Sequence, residues 1–295
     1  MDKKIICSMG GGFSSTAHMP RVLLEKYDKD DIHFVSCILP NEHPSTWDLF
    51  DAVEKNLEIS ITYIAYSPDT PYWQYVDRDD RGNTDKLFTP FDIFDMRGFI
   101  GNSKNDPCSY HLKRDVMLRY TDENFGAGSV TMAVGIHNEE IERHIAIQKN
   151  WGSRGYETIF PLLDSDVPRY SREEQIEKLD DWYGVTLDLY TNGFEHNNCA
   201  GACVKAAQRQ WAMLWYYYPD TYNEWETREL AWQKKWGRDN AIIRRGRIAN
   251  RTYTTLKDYR IGTLEPASRM EKKGFMQEFI ASLEDGPSCF WCSAI

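Results

Sequence analysis

Apolar residues gather into short β-rich runs along the first part of the chain: KKIICS, DIHFVSCIL and SITYIAY. Between them lie SSTAHMPRVLLEKY and STWDLFDAVEKNL, whose apolar positions recur at the helical period. The order is therefore β-α-β-α-β. Strands alternating with helices imply a parallel sheet with right-handed crossovers and helices on both faces. Pro44 stands just ahead of Ser45 and Thr46, the candidate N-caps of the second helix. SVTMAVGI and YETIFPLL predict later strands, with NEEIERHIAIQKNW and SREEQIEKLDDWY as the helices that follow them, so the α/β pattern runs to about residue 185. Residues 67–107, rich in Pro, Asp, Gly and aromatics, predict a long irregular insertion of the kind that covers a site. Beyond come a turn-rich piece, an aromatic helix VKAAQRQWAMLWYYY and a second helix from Tyr222 to about Trp236. The expected organisation is an α/β domain over 1–185, an open, mostly parallel sheet carrying the 67–107 insertion. Residues 186–295 then hold a Cys-containing turn, a helical region and a C-terminal tail.

Composition sharpens this picture in three ways. The 295 residues, 41% apolar and 14% aromatic, suffice for a substantial core. The net charge of −10 argues against a broad nonspecific phosphate-binding surface. RRGRIANRTYTTLKDYR, Arg244 to Arg260, is the one basic, aromatic-interleaved segment and is suited either to nucleic acid or to plain solvation. Too few apolar residues precede the first glycines for a signal peptide, and no apolar run approaches a membrane span, so a cytoplasmic protein with no membrane partner is expected. The sequence leaves the oligomeric state open. Seven cysteines, odd in number and unevenly spaced, do not form a secreted disulfide framework.

The stretch CSMGGGFSSTAHM holds the first candidate chemistry. Gly10 to Thr16 join the first strand to the first helix. In an open parallel sheet that is where backbone N–H groups approach an anion at a helix N-terminus. The spacing is neither G-x-G-x-x-G nor that of a P-loop ending in Gly-Lys-Ser/Thr. A plain βα turn, with glycines for close packing, is the alternative.

SMGGGFSSTA resembles the pyrophosphate loop of the adenine nucleotide alpha-hydrolase-like (PP-loop) superfamily, and in particular its PAPS reductase-like branch, phage-type members included. NEHPSTWDLFDAV, PCSYHLKRDVMLRY and VGIHNEEIERH follow in the family's order. NGFEHNNCAGACVKA is similar to its Gly…Cys-x-x-Cys-Pro region with one more residue between the cysteines. The resemblance covers about residues 4–235 and implies that fold, with an adenine nucleotide, ATP or PAPS, as the small-molecule partner. It implies nucleotide contacts from Ser8, Gly10, Gly11, Gly12, Ser14, Ser15, Thr16 and Gly135. Lys113, His137 and Arg143 become candidate catalytic groups at phosphate or sulfate. Two departures stand out. Ser14 occupies the position where ATP-cleaving members carry Asp, so Mg²⁺ as a further cofactor would need another carboxylate. The ending GPSCFWCSAI also lacks the Glu and His of the reductases' Glu-Cys-Gly-x-His.

Cys199 and Cys203 lie four apart in a Gly/Asn-rich turn opening an apolar helix, whose N-terminus favours a thiolate, Cys108 begins another helix, and Cys289 and Cys292 form a Cys-x-x-Cys. Thiolates in fours hold zinc or an iron–sulfur cluster, and the first three match cluster-binding positions of some relatives. The candidate metal set is Cys108, Cys199, Cys203 and Cys292, with Cys289 as the alternative fourth. Reduced buried thiols are the plainer reading, and Cys7 and Cys37, inside strand-like runs, read as core residues. His196 is a ligand, a proton donor or part of the turn. Three functions follow. One is a nucleotide-dependent enzyme that activates or transfers a group, sulfur among the options, in nucleic-acid or small-molecule modification. The others are a sulfonucleotide reductase and a nucleotide-binding protein without chemistry.

Overall fold

The computed structural model describes residues 3–102, 105–137, 141–245, 252–270 and 274–283. Cys289 and Cys292 lie outside the described residues, as does 246–251 of the basic segment.

Contacts divide the chain into two compact units. The first comprises the described residues of 3–88 and 109–198, and the second those of 89–108 and 199–283. This partition differs from one cut at residue 185, because 89–108 group with the C-terminal residues.

The first unit is built on a six-stranded sheet, ordered β4-β3-β2-β1-β5-β6. β1 (Ile5–Ser8) leads through a π-helical turn (Phe13–His18) into α1 (Met19–Lys26). β2 (Ile32–Cys37), α2 (Pro44–Leu57) and β3 (Ile61–Tyr66) follow, then β4 (Trp73–Tyr75). All neighbouring pairs are parallel except β3–β4. β1 is central, between β2 and β5, and alternation along it sends Ile5 and Cys7 to one core and Ile6 to the other. The first core takes Val22 and Leu23 of α1 and Leu49, Phe50 and Val53 of α2. Cys7 and Cys37 are buried as expected of core residues, and burial pushes the Cys37 thiol up to about 12.

Two local expectations are corrected. The N-cap of α2 is His43, whose ring nitrogen accepts from the Ser45 N–H; Pro44 takes the first helical position, where its fixed φ fits and its missing N–H costs nothing. Residues 67–107 are not uniformly irregular. They contain β4 and, in the second unit, α3 (Pro90–Arg97), which starts with a Thr89–Asp92 capping box.

Past the insertion, α4 (Pro107–Ser109) runs through a π-helical turn (Tyr110–Arg114) into α5 (Asp115–Phe125). β5 (Thr131–Ala133), α6 (Glu142–Gly152), β6 (Glu157–Ile159), α7 (Arg172–Tyr183) and α8 (Asp188–Thr191) complete the first unit. Val116 and Met117 of α5 and Ile147 and Trp151 of α6 fill the second core, whereas Leu179 and Tyr183 of α7 join the first. Helices thus cover both faces, as the α/β reading requires.

The second unit continues with α9 (Gln208–Tyr217), α10 (Pro219–Trp236), β7 (Ile243–Arg245), β8 (Thr252–Thr254), α11 (Leu256–Tyr259), α12 (Glu265–Ser268) and α13 (Phe275–Ser282). β7 and β8 pair antiparallel. The buried Glu229 of α10 organises this unit: its two carboxylate oxygens accept from Ile242 N at 2.7 Å and Leu256 N at 2.6 Å. Arg260 is committed to Glu226 and Glu265, so the last arginine of the basic segment serves an internal ion pair. Among the described residues no helix is long and apolar enough to cross a membrane.

Candidate functional site

The chain leaves β1 toward β2 and β3 on one side and returns to β5 on the other, so direction reverses between β1 and β5. Loops at the carboxyl ends of two such strands part and leave a crevice. A cavity of about 400 Å³ lies there, bordered by Gly12, Ser14 and Ser15 after β1 and by Gly135 and His137 after β5.

The glycines divide into distinct roles. Gly11 has φ +83°, and a Cβ on it would stand 2.6 Å from Thr46 Cγ2 of α2; it is glycine for the turn and for packing, and its missing side chain does not face the cavity. Gly12 is extended, with φ −107°, and a Cβ there would meet the Tyr190 hydroxyl at 3.0 Å. Gly135 allows the closest approach: a Cβ would lie 2.6 Å from Ser15 Cα and 3.0 Å from Ser15 N.

The loop's own hydroxyls already serve its backbone. Gly10 N donates to Ser15 Oγ at 3.1 Å and Gly11 N to Thr16 Oγ1 at 2.8 Å, while Phe13 N reaches the Tyr190 hydroxyl at 3.4 Å. A cradle of every N–H from Gly10 to Thr16 is therefore not what the loop offers. The N–H groups of Ser14 and Ser15, in the first helical turn, have no intrahelical acceptor and are the donors suited to an anion.

A second helix start faces the same cavity. Ser171 caps α7 in a capping box with Glu174, and Ser171, Arg172 and Gln175 line the wall. Arg172 is fixed three ways: Nη1 donates to Gln175 Oε1 at 2.8 Å, Nη2 to the Glu195 carbonyl at 2.9 Å, and its guanidinium lies 3.9 Å from the Tyr190 ring centroid. The turn after α8 closes the far side with Glu195, His196 and Asn197. Asn197 Nδ2 ties this turn to the loop, donating to Gly11 O at 3.1 Å and Thr46 Oγ1 at 2.7 Å. Its Oδ1 is buried with no donor among the described residues.

Of the nucleotide candidates, Gly12, Ser14, Ser15 and Gly135 line the cavity; Ser8, Gly10, Gly11 and Thr16 stand behind it as supports. Of the catalytic candidates, His137 lines it. Lys113 is 2% exposed and pairs with Glu42, Nζ to Oε1 3.2 Å, and neither it nor Arg143 is in the lining. Sequence reasoning missed Tyr170, Arg172, Gln175, Tyr190 and Glu195. The Ser171-x-x-Glu174 signature after β6 marked another βα junction at the same sheet edge, whereas nothing in the sequence marked Tyr190.

In the second unit Cys108, Cys199 and Cys203 are all buried. Cys199, Ala200 and Gly201 are consecutive left-handed residues, with φ +53°, +49° and +83°, a strained turn for the two that are not glycine. α9 begins only at Gln208, so Cys203 precedes that helix by several residues and takes no benefit from its N-terminus. Among the described residues no three His, Cys, Asp or Glu side chains gather as a metal would need.

Comparison with known proteins gives no matching family model, no matching curated protein and no matching solved structure.

Proposed function

We propose that the chain is an adenine-nucleotide-binding enzyme similar to the PAPS reductase-like branch of the PP-loop superfamily, with the nucleotide's phosphates or sulfate held against Ser14 and Ser15. The observation that carries this reading is the cavity at the β1–β5 reversal, bordered by the helix start after β1 and by that of α7. Both helix ends turn partial positive charge toward one space, and the anchored Arg172 adds a full charge. Ser14 and Ser15 N–H bind the anion, Arg172 orients it, and His137 and His196 stand within the lining to move a proton.

Group transfer is favoured over reduction by the lining itself. Glu195, whose carboxylate lies 3.8 Å from His196 Nε2, brings an acidic group to a cavity whose loop has Ser14 in place of the family's Asp, and Mg²⁺ would take an oxygen from it. A reductase needs an attacking thiol, and the candidates for it, Cys289 and Cys292, lie outside the described residues. The thiol set belongs to the proposal only through the resemblance, with Cys292 as its fourth member. Metal content of anaerobically purified protein tests it, and equal content in Cys199→Ser removes it.

The principal test is calorimetry with ATP and with PAPS, followed by product analysis. Gly12→Val leaves the backbone allowed and presses a side chain against the Tyr190 hydroxyl in the cavity wall, and nucleotide affinity is expected to fall at least about tenfold. Unchanged affinity removes the loop from the site. Pyrophosphate release from ATP supports transfer, thiol-dependent sulfite release from PAPS supports the reductase, and binding with neither product leaves a nucleotide-binding protein.

A further inference from the structure

We propose that a second chamber, adjoining the first cavity, seats a neutral heteroaromatic ring of nucleobase size. This deepens the nucleotide reading and rests on it for the anionic end of the ligand. The chamber has a volume of about 360 Å³ and shares Ser14, His137, Tyr170, Ser171 and Gln175 with the first, so the two border one another. Its character is different. Phe13, His18, Leu162, Pro168 and Tyr170 supply an aromatic and apolar lining, joined by Arg169, and among the described residues no carboxylate borders it.

The rings are held in place from behind. Phe13 stacks on Trp182 with centroids 5.8 Å apart and meets Tyr170 edge-on, and His18 lies 5.1 Å from the Tyr170 ring. A planar ligand gains from such a lining without needing a particular base, because every base has a π face.

His18 adds the second observation. Its side chain is 7% exposed and lines the chamber, and no hydrogen bond within the described residues holds its ring nitrogens. Burial, with Arg21 nearby, pushes its pKa down to about 4, so at neutral pH the imidazole offers one donor and one acceptor. That pair matches the edge of a heteroaromatic ring, whereas a purely aliphatic occupant would leave both nitrogens unmet.

The ring has two possible sources, the nucleotide's own base or a separate nucleoside-like acceptor, and one titration series distinguishes them. Adenosine, guanosine, cytidine, uridine and pyrophosphate are titrated into the full chain and into Tyr170→Ala, His18→Phe and Gly12→Val, with near-ultraviolet dichroism and melting checked for each. At least one nucleoside is expected to bind the unaltered protein. Tyr170→Ala, at a partly exposed position bordering both cavities, and His18→Phe, which keeps a ring, are each expected to weaken it about tenfold, and in His18→Phe, whose side chain borders only the second chamber, pyrophosphate affinity stays within about twofold. Gly12→Val is expected to do the reverse. Competition between ATP and that nucleoside assigns the chamber to the nucleotide's base, and simultaneous binding assigns it to a second substrate. No nucleoside binding, or binding indifferent to both chamber variants, overturns the proposal. Nucleoside binding that obeys the chamber variants in a protein that ignores pyrophosphate would sink the phosphate reading and leave the chamber standing.

Discussion

Gly135 and Lys113 show how differently single residues at one sheet edge can matter. At Gly135 the β5 loop touches the backbone of Ser15, so even a methyl group must push the two loops apart. Gly135→Ala is expected to cost about 1–3 kcal/mol in urea unfolding and to weaken nucleotide binding with it, because the displaced atoms include the Ser15 N–H. Lys113 serves the fold instead. Its ammonium and the Glu42 carboxylate are both nearly water-free, with side-chain exposures of 3% and 6%, so removing one charge leaves the other without its counterpart. Lys113→Met is expected to destabilise by about 3–5 kcal/mol, and the double variant with Glu42→Leu to recover much of that loss, read from the same unfolding curves. A catalytic role for Lys113 would show in turnover of the folded double variant, not in its stability.

Among the elements, α7 and α10 each depend on a carboxylate in a particular place. In α7 the reciprocal Ser171–Glu174 cap fixes the helix start and therefore the base of Arg172. Ser171→Ala is expected to cost about 1 kcal/mol and to weaken anion binding beyond that loss of stability, which paired melting and calorimetry would separate. In α10, Glu229 receives two backbone N–H groups from the segments entering β7 and α11. An amide has a single oxygen to accept with, so Glu229→Gln is expected to lose about 1–3 kcal/mol in the second unit. Hydrogen exchange over Ile243–Arg245 and Leu256–Tyr259 reports it.

On the scale of the whole molecule, the two units respond to acid in opposite senses. His18 has a folded pKa pushed down to about 4, so the unfolded chain takes up its proton first, and the first unit loses stability as pH falls from about 6.5 toward 4. Arg21 beside it opposes the charged imidazole. Glu229 behaves inversely. Burial raises its pKa to about 7 despite its two N–H donors, so the folded second unit holds a proton the unfolded chain releases, and its stability falls as pH rises from about 4.5 to 7. Exchange protection measured between pH 4.5 and 7 is expected to fall with acid in α1 and rise with acid in α10, and His18→Phe to flatten only the first trend.

Periodicity alone determined the α/β unit. An apolar run buried on both faces of a parallel strand, or a helix with one apolar stripe, declares itself within a few residues, and so β1 to β3, α2 and α7 were legible. Caps were legible where the motif is reciprocal, as at Ser171 and Glu174, and misplaced where an unusual residue, His43, does the work. The loop after β1 was legible as the border of a crevice because its place in a parallel sheet follows from strand order. Only the tertiary structure decided which of its groups are available. Gly10, Gly11 and Thr16 spend their hydrogen bonds within the loop, Gly11 faces α2, and Arg172, Tyr190 and Glu195 arrive from more than 150 residues away. Local sequence carries the energetics of a turn or a helix. The company a side chain keeps across the sheet edge is set by how the crossovers pack, and a short sequence window does not contain that information.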